Sequence, residues 1–214
     1  MLRLCFLFLL FFLTVEVLPA QDCIPIKNPS FEEENKGGAY NGARYWRDLH
    51  HKRETPYSIM ITDVSRHGVE RNCPDGFRYA LMVTRANHTW EAMSQKLSAP
   101  MRKGVTYQVS MWLAQDPNMM SLDPFTNQLV SFYNPVKIRL WGGKRRYKRH
   151  TILAESPTVA HTDWRQYVFT FTPDEDYKYF ILEVFYHNGN ATEPYYGHVL
   201  LDMVSDIAVY RPAN

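Results

Sequence analysis

The 214 residues carry 24 lysines and arginines against 22 aspartates and glutamates, a formal charge of +2, so the overall balance gives no long-range pull towards nucleic acid. Aromatic residues make up 14 %, with 14 tyrosines and 5 tryptophans, enough to supply a core and flat binding surfaces as well. Once a leader is removed, about 194 residues remain, a length that suits one domain with its own core.

The chain opens with Arg3, runs through the apolar stretch CFLFLLFFLTV and reaches Leu18-Pro19-Ala20 before Gln21, the order of a secretory signal peptide cleaved near Ala20. The apolar run of about 11 residues falls short of the roughly 20 that cross a bilayer. Residues 1–20 therefore read as leader and 21–214 as one exported domain, secreted, periplasmic or at the cell surface, with no transmembrane segment in the mature chain. Cleavage removes Cys5 and leaves Cys23 and Cys73. An even pair in an oxidising compartment is expected to form a disulfide, with two buried thiols as the alternative.

From Ile24 onward, alternating apolar runs between turn signals predict strands and no sustained helix. In chain order these are Phe77 to Val83, Glu91 to Ser98, Tyr107 to Ala114, Val136 to Trp141, Arg165 to Thr172, Tyr179 to Tyr186 and His198 to Tyr210. In YQVSMWLA the residues Tyr107, Val109, Met111 and Leu113 share one face, and Gln108, Ser110, Trp112 and Ala114 the other. VKIRLW repeats the pattern, with Val136, Ile138 and Leu140 opposed to Lys137, Arg139 and Trp141. Seven or more strands without helices predict an all-β, two-sheet sandwich. The long irregular stretches, Lys36 to Val69 and Asp116 to Pro135, are the natural carriers of binding function.

Three stretches in order, NPSFEE, then MSQKLSAPMRKGVTYQVSMWLA with WRQYVFTFTP, and finally LLDMVSDI, resemble the galactose-binding-like β-jelly rolls. Among these the chain is most similar to carbohydrate-binding modules of the family 4, 9 and 22 type in exported Bacteroidetes proteins, from Asn28 to about Val209. The resemblance implies an antiparallel jelly-roll sandwich whose first and last strands lie side by side. It also implies a structural calcium held by Glu32 and Asp202 with backbone carbonyls, a set of hard oxygen ligands. Where the family often has two consecutive acids, this chain has Asp202-Met203.

No metalloprotease, serine-hydrolase, P-loop or dinucleotide-binding motif is present. A sugar presents an apolar face fringed with hydroxyls, so its site combines aromatic rings with amide and guanidinium groups. Trp112 and Trp141 are expected to stack on sugar rings, Gln108 and Arg139 to meet hydroxyls, and Trp46 and Tyr57 to overhang from the first long loop. The run from Lys144 to Arg149, Lys-Arg-Arg-Tyr-Lys-Arg, either docks an acidic polysaccharide or protects a strand edge with its charge. The leading reading is an exported, non-catalytic carbohydrate-binding module. The alternative is a cell-surface structural or adhesion domain that holds another protein. A polysaccharide lyase or hydrolase would need convergent acids, with Glu183 the one acid to watch, or a Tyr–His pair. Asn87-His88-Thr89 and Asn190-Ala191-Thr192 fit the N-glycosylation sequon.

Overall fold

The computed structural model describes residues 23–34, 42–49, 58–61, 67–189 and 193–212. The leader, Tyr57 and Asn190 lie outside the described residues. The first strands are β1 (Cys23–Ile24), β2 (Arg47–Asp48), β3 (Ser58–Ile61), β4 (Arg78–Arg85), β5 (Thr89–Trp90), β6 (Ala92–Met101) and β7 (Tyr107–Ala114). There follow β8 (Met120–Leu122), β9 (Leu129–Ser131), β10 (Val136–Gly143), β11 (Thr151–Glu155), β12 (Arg165–Phe171), β13 (Tyr177–Tyr186), β14 (Gly197–Asp202) and β15 (Ile207–Val209).

An eight-stranded sheet runs β1-β15-β7-β14-β4-β3, with β12 on the other edge of β7 and β5 beside β4. A five-stranded sheet runs β11-β10-β13-β6-β2 and packs against it, giving the expected jelly-roll sandwich. The alternation of β7 and β10 sets the core between them: Val109, Met111 and Leu113 face Val136, Ile138 and Leu140, together with Phe180, Leu182 and Val184 of β13. A second cluster lies on the outer face of the eight-stranded sheet, where Tyr79, Leu81, Val83 and Leu200 are covered by Val69, Met119 and Phe132.

The predicted strand from His198 to Tyr210 is broken. β14 ends at Asp202 and the chain resumes as β15 at Ile207, both on the same edge of β7. The break falls where NPSFEE crosses, and Pro29 accepts the Val204 N–H. The first and last strands do pair, Ile24 opposite Ile207. The loop from Asp116 to Pro135, predicted to be irregular, carries the small β8–β9 hairpin.

The disulfide is not formed: Cys23 and Cys73 are both thiols. Cys23 alternates with buried Ile24 and so points out of the edge strand β1. Cys73 packs into the second cluster beneath the outer loops and donates its thiol to the Asp75 carbonyl at 3.1 Å. Strand phase and local turn geometry send the two sulfurs to different environments.

Candidate functional site

The motif NPSFEE folds as a tight knot rather than a strand. Buried Asn28, at φ 51, donates its amide to the Glu33 and Arg44 carbonyls and accepts the Glu33 N–H, so one side chain joins two distant turns. Phe31 turns into the core at φ 61, 5.7 Å from the Trp46 ring. Trp46, expected to overhang a sugar site, is 1 % exposed and donates its indole N–H to the Asn28 carbonyl. It is a core residue because the motif needs a large partner for Phe31.

This knot sets one wall of a cleft on the outer face of the five-stranded sheet. Gln95, buried in β6, accepts the Lys27 N–H at 2.7 Å and returns its amide to the Lys27 carbonyl at 2.9 Å. That clasp holds Lys27 beside β6. The register places Ser94 between Arg47 of β2 and Ile181 of β13, and Lys96 opposite Tyr179. The resulting cleft, about 690 Å³, is lined by Lys27, Tyr45, Arg47, Lys96, Arg146 and Tyr179, together with Ser94 and Ser98. Its volume falls in the range of small-molecule sites. Tyr45, at φ 73, is flanked by the Lys27 ammonium 5.3 Å and the Arg44 guanidinium 4.7 Å from its ring. No carboxylate lines the cleft among the described residues.

Trp112 and Gln108 lie elsewhere. They extend from the outer face of the eight-stranded sheet, because the core-facing phase of β7 belongs to Val109, Met111 and Leu113. Gln108 bonds the Thr170 hydroxyl at 3.4 Å across to β12. Trp141 and Arg139 share the outer face that bears the cleft, yet neither lines it. A single groove containing both tryptophans is therefore ruled out: the two belong to opposite sides of the sandwich. Tyr57 lies outside the described residues.

Arg139 is committed within the protein. Its Nε meets Glu155 at 2.5 Å and its guanidinium lies 3.5 Å over the Phe185 ring. Beside it Glu183, 1 % exposed, accepts the Trp141 indole N–H at 3.1 Å and pairs with Arg149 and, at 3.9 Å, with Arg139. Burial pushes the Glu183 carboxyl up, while Arg149, the Trp90 and Trp141 indoles and Arg139 pull it back. The basic run is thus divided: Arg149 is drawn inward to Glu183, Lys144 and His150 pair with Glu175, and Arg146 reaches the cleft.

Glu32 and Asp202 both hold the turn at residues 75–78. Glu32 Oε1 accepts the N–H groups of Phe77 and Arg78, each at 2.8 Å. Gly76, at φ 65, allows this approach, since a Cβ there would strike the Glu32 carboxyl. Asp202 accepts the Asp75 N–H at 3.2 Å and the Met203 N–H at 2.7 Å. Its carboxyl is pushed up to about 7, first by burial and then by the negative charges of Asp75 and Glu32, against the pull of those two N–H groups. Neither Glu32 nor Asp202 has a salt-bridge partner among the described residues. A buried carboxylate beside like charge fits a divalent cation, although no group of three or more His, Cys, Asp or Glu side chains that could hold a metal gathers among the described residues.

A Tyr–His pair does exist. The Tyr167 hydroxyl lies 2.8 Å from His161 Nε2, and His161 Nδ1 lies 2.7 Å from the Asp163 carbonyl. Since a carbonyl only accepts, Nδ1 carries the proton and Nε2 accepts from the tyrosine; burial holds the imidazole below its usual pKa. Neither residue lines the cleft, so the pair is not set against the surface where a glycan would sit.

The family model for carbohydrate binding domains of types 4 and 9 matches residues 26–192. No sequence among the curated proteins matches the chain. A cyclase from Fischerella sp. TAU is similar in structure at a TM-score of 0.55 and 17 % identity, over 90 % of this chain and 98 % of that one. The K2 cleaved adhesin domain of Lys-gingipain is similar at 0.50 and 10 % identity, over 86 % and 97 %. The CBM22-1 xylan-binding domain from Paenibacillus barcinonensis is similar at 0.44 and 13 % identity, over 86 % and 93 %. At these identities the likeness is one of fold.

Proposed function

Because the chain belongs to the family of carbohydrate binding domains of types 4 and 9, we propose that the cleft on the outer face of its five-stranded sheet is where it holds a glycan, and that this glycan is anionic. The observation that carries the reading is the lining itself: two tyrosine rings to meet sugar faces, serine hydroxyls beside them, and Lys27, Arg47, Lys96 and Arg146 without a lining carboxylate among the described residues. Charge-assisted bonds from such cations to a uronate or sulfate contribute about 1.5–3 kcal/mol each. The acidic partner expected from the Lys144 to Arg149 run is thereby narrowed to Arg146 of that run, backed by three cations from other parts of the chain. Titration calorimetry of the mature chain with polygalacturonate, heparin and neutral xylan tests this. Tighter binding of either anionic polymer, weakening with salt, is the expected result; equal or stronger binding of xylan overturns the anionic reading.

The protein acts outside the cytoplasm, after loss of the leader, as a binding module without catalysis of its own. The Tyr–His pair and Glu183 both lie outside the cleft lining, which supports the non-catalytic reading over a lyase or hydrolase. A second reading, capture of a protein partner, is favoured by one feature. The β8–β9 hairpin exposes Leu122, Phe125 and Leu129 at 51 %, 71 % and 66 % around a tip pinned by Asp123, which accepts the Phe125 and Thr126 N–H groups and the Tyr196 hydroxyl. A structural calcium at Glu32 and Asp202 completes the proposal; it would offset the charge gathered around Asp202 and tie NPSFEE to the end of β14.

A further inference from the structure

We propose that Glu183 is a positioning residue for the cleft: by holding Arg149 from beneath, it fixes the β10–β11 hairpin so that Arg146 faces the cleft. The proposal rests on the reading of the cleft as a site for anionic glycans. Glu183 stands in β13 between Arg139 of β10 and Ala92 of β6, on the outer face, yet it is almost fully buried. Ionising a carboxylate there requires close cations. Arg139 belongs to the sheet itself and already serves Glu155 and the Phe185 ring. Arg149 is the partner that Glu183 draws from the connection between β10 and β11, and its side chain is 17 % exposed.

The other ion pairs of that connection are wet. Lys144 and His150 meet Glu175 with all three side chains 42–45 % exposed, where solvent screening leaves an ion pair little net value. Among the ion pairs that the connection makes between described residues, Arg149–Glu183 is thus the one shielded from water. The turn above it is compact: Lys148 N–H bonds the Arg145 carbonyl at 3.3 Å, Tyr147 sits at φ 64, and His150 N–H returns to Gly142 at 2.9 Å. Arg146 lies at the top of this turn and reaches the same cleft as Tyr179 and Lys96. A carboxylate that neither lines the cleft nor meets the ligand thereby decides where one of its cations stands.

The test uses the mature chain with polygalacturonate and heparin as probes, and the variants Glu183→Gln, Arg149→Met and Arg146→Ala. Glu183→Gln and Arg149→Met are each expected to weaken binding about tenfold and to lower the slope of log affinity against log salt by about one, as Arg146→Ala does. In the Arg146→Ala background Glu183→Gln should have no further effect, a coupling that a loss of general stability would not produce. Full affinity in folded Glu183→Gln, or an equal loss with and without Arg146, overturns the proposal. If the wild-type chain binds neither probe, the glycan reading fails separately. Amide hydrogen exchange then decides the positioning: faster exchange over residues 144–150 in Glu183→Gln supports it, and unchanged protection sinks it. Should Glu183→Gln fail to fold, the double variant Glu183→Leu with Arg149→Met, which replaces the ion pair by apolar groups, takes its place and is expected to lose the same affinity.

Discussion

Trp112 in β7 and Trp141 in β10 occupy the same phase of their strands and point away from each other, each out of the outer face of its own sheet. The aliphatic neighbours that force this, Met111 and Leu113 on one strand and Ile138 and Leu140 on the other, meet in the core between them. Any ligand large enough to touch both would have to wrap around the sandwich.

Binding should therefore separate the aromatic residues. Tyr45→Ala and Tyr179→Ala each remove a ring from the cleft and are expected to cost about 1 kcal/mol, roughly fivefold in affinity. Trp112→Ala, on the opposite face, should leave affinity within a factor of about two. Calorimetry against the tightest-binding polymer makes the comparison, and a large loss in Trp112→Ala would move the site to the eight-stranded sheet.

Two buried groups give stability opposite pH slopes. His198 donates from Nδ1 to the Phe132 carbonyl and accepts the Asp116 N–H at Nε2, and burial lowers its pKa to about 4. Between about 4 and about 6.5 the unfolded chain binds more protons, so this contribution is lost as pH falls through that window. Asp202, raised to about 7, binds its proton in the folded state where the unfolded chain has released it, so its contribution is lost as pH rises from about 4 to about 7. Urea midpoints across that range, without calcium, should rise more steeply with pH in Asp202→Asn than in the wild type. Parallel curves would show that Asp202 carries an ordinary carboxylate.

Calcium should reverse the second slope. Bound beside Asp202, the ion favours the ionised carboxylate, so millimolar calcium is expected to raise Tm at pH 8 and progressively less towards pH 6. Asp202→Asn and Glu32→Gln should each abolish the shift. A wild-type Tm indifferent to both calcium and chelator excludes the site.

The two cysteines should behave as thiols. Without prior reduction, the unfolded mature chain is expected to take up two equivalents of an alkylating reagent, at Cys23 and Cys73, as read by intact mass. No uptake until a reductant is added would restore the disulfide.

Much of the sandwich was legible because strand phase is a local property. The alternation in YQVSMWLA and VKIRLW named the core faces of β7 and β10 without reference to any partner. Two-residue strands such as β1, β2 and β5 are too short to show a period. Trp46 misled because a tryptophan between turn residues looks the same in sequence whether it overhangs a ligand or fills a core; its burial follows from Phe31 and from the carbonyl of Asn28.

The sequence by itself determined which side chains of each long strand leave the core, since hydrophobic burial acts on each strand through its own alternation; that NPSFEE and LLDMVSDI meet was implied by the family resemblance alone. Only the tertiary structure decided which outward residues become neighbours. Lys27, Tyr45, Arg47, Lys96, Arg146 and Tyr179 come from five separate stretches of the chain, joined by the β2–β6–β13 register, the Gln95 clasp and the Arg149–Glu183 anchor. Cross-strand register and sheet order are set by pairing between distant segments, which no local pattern encodes.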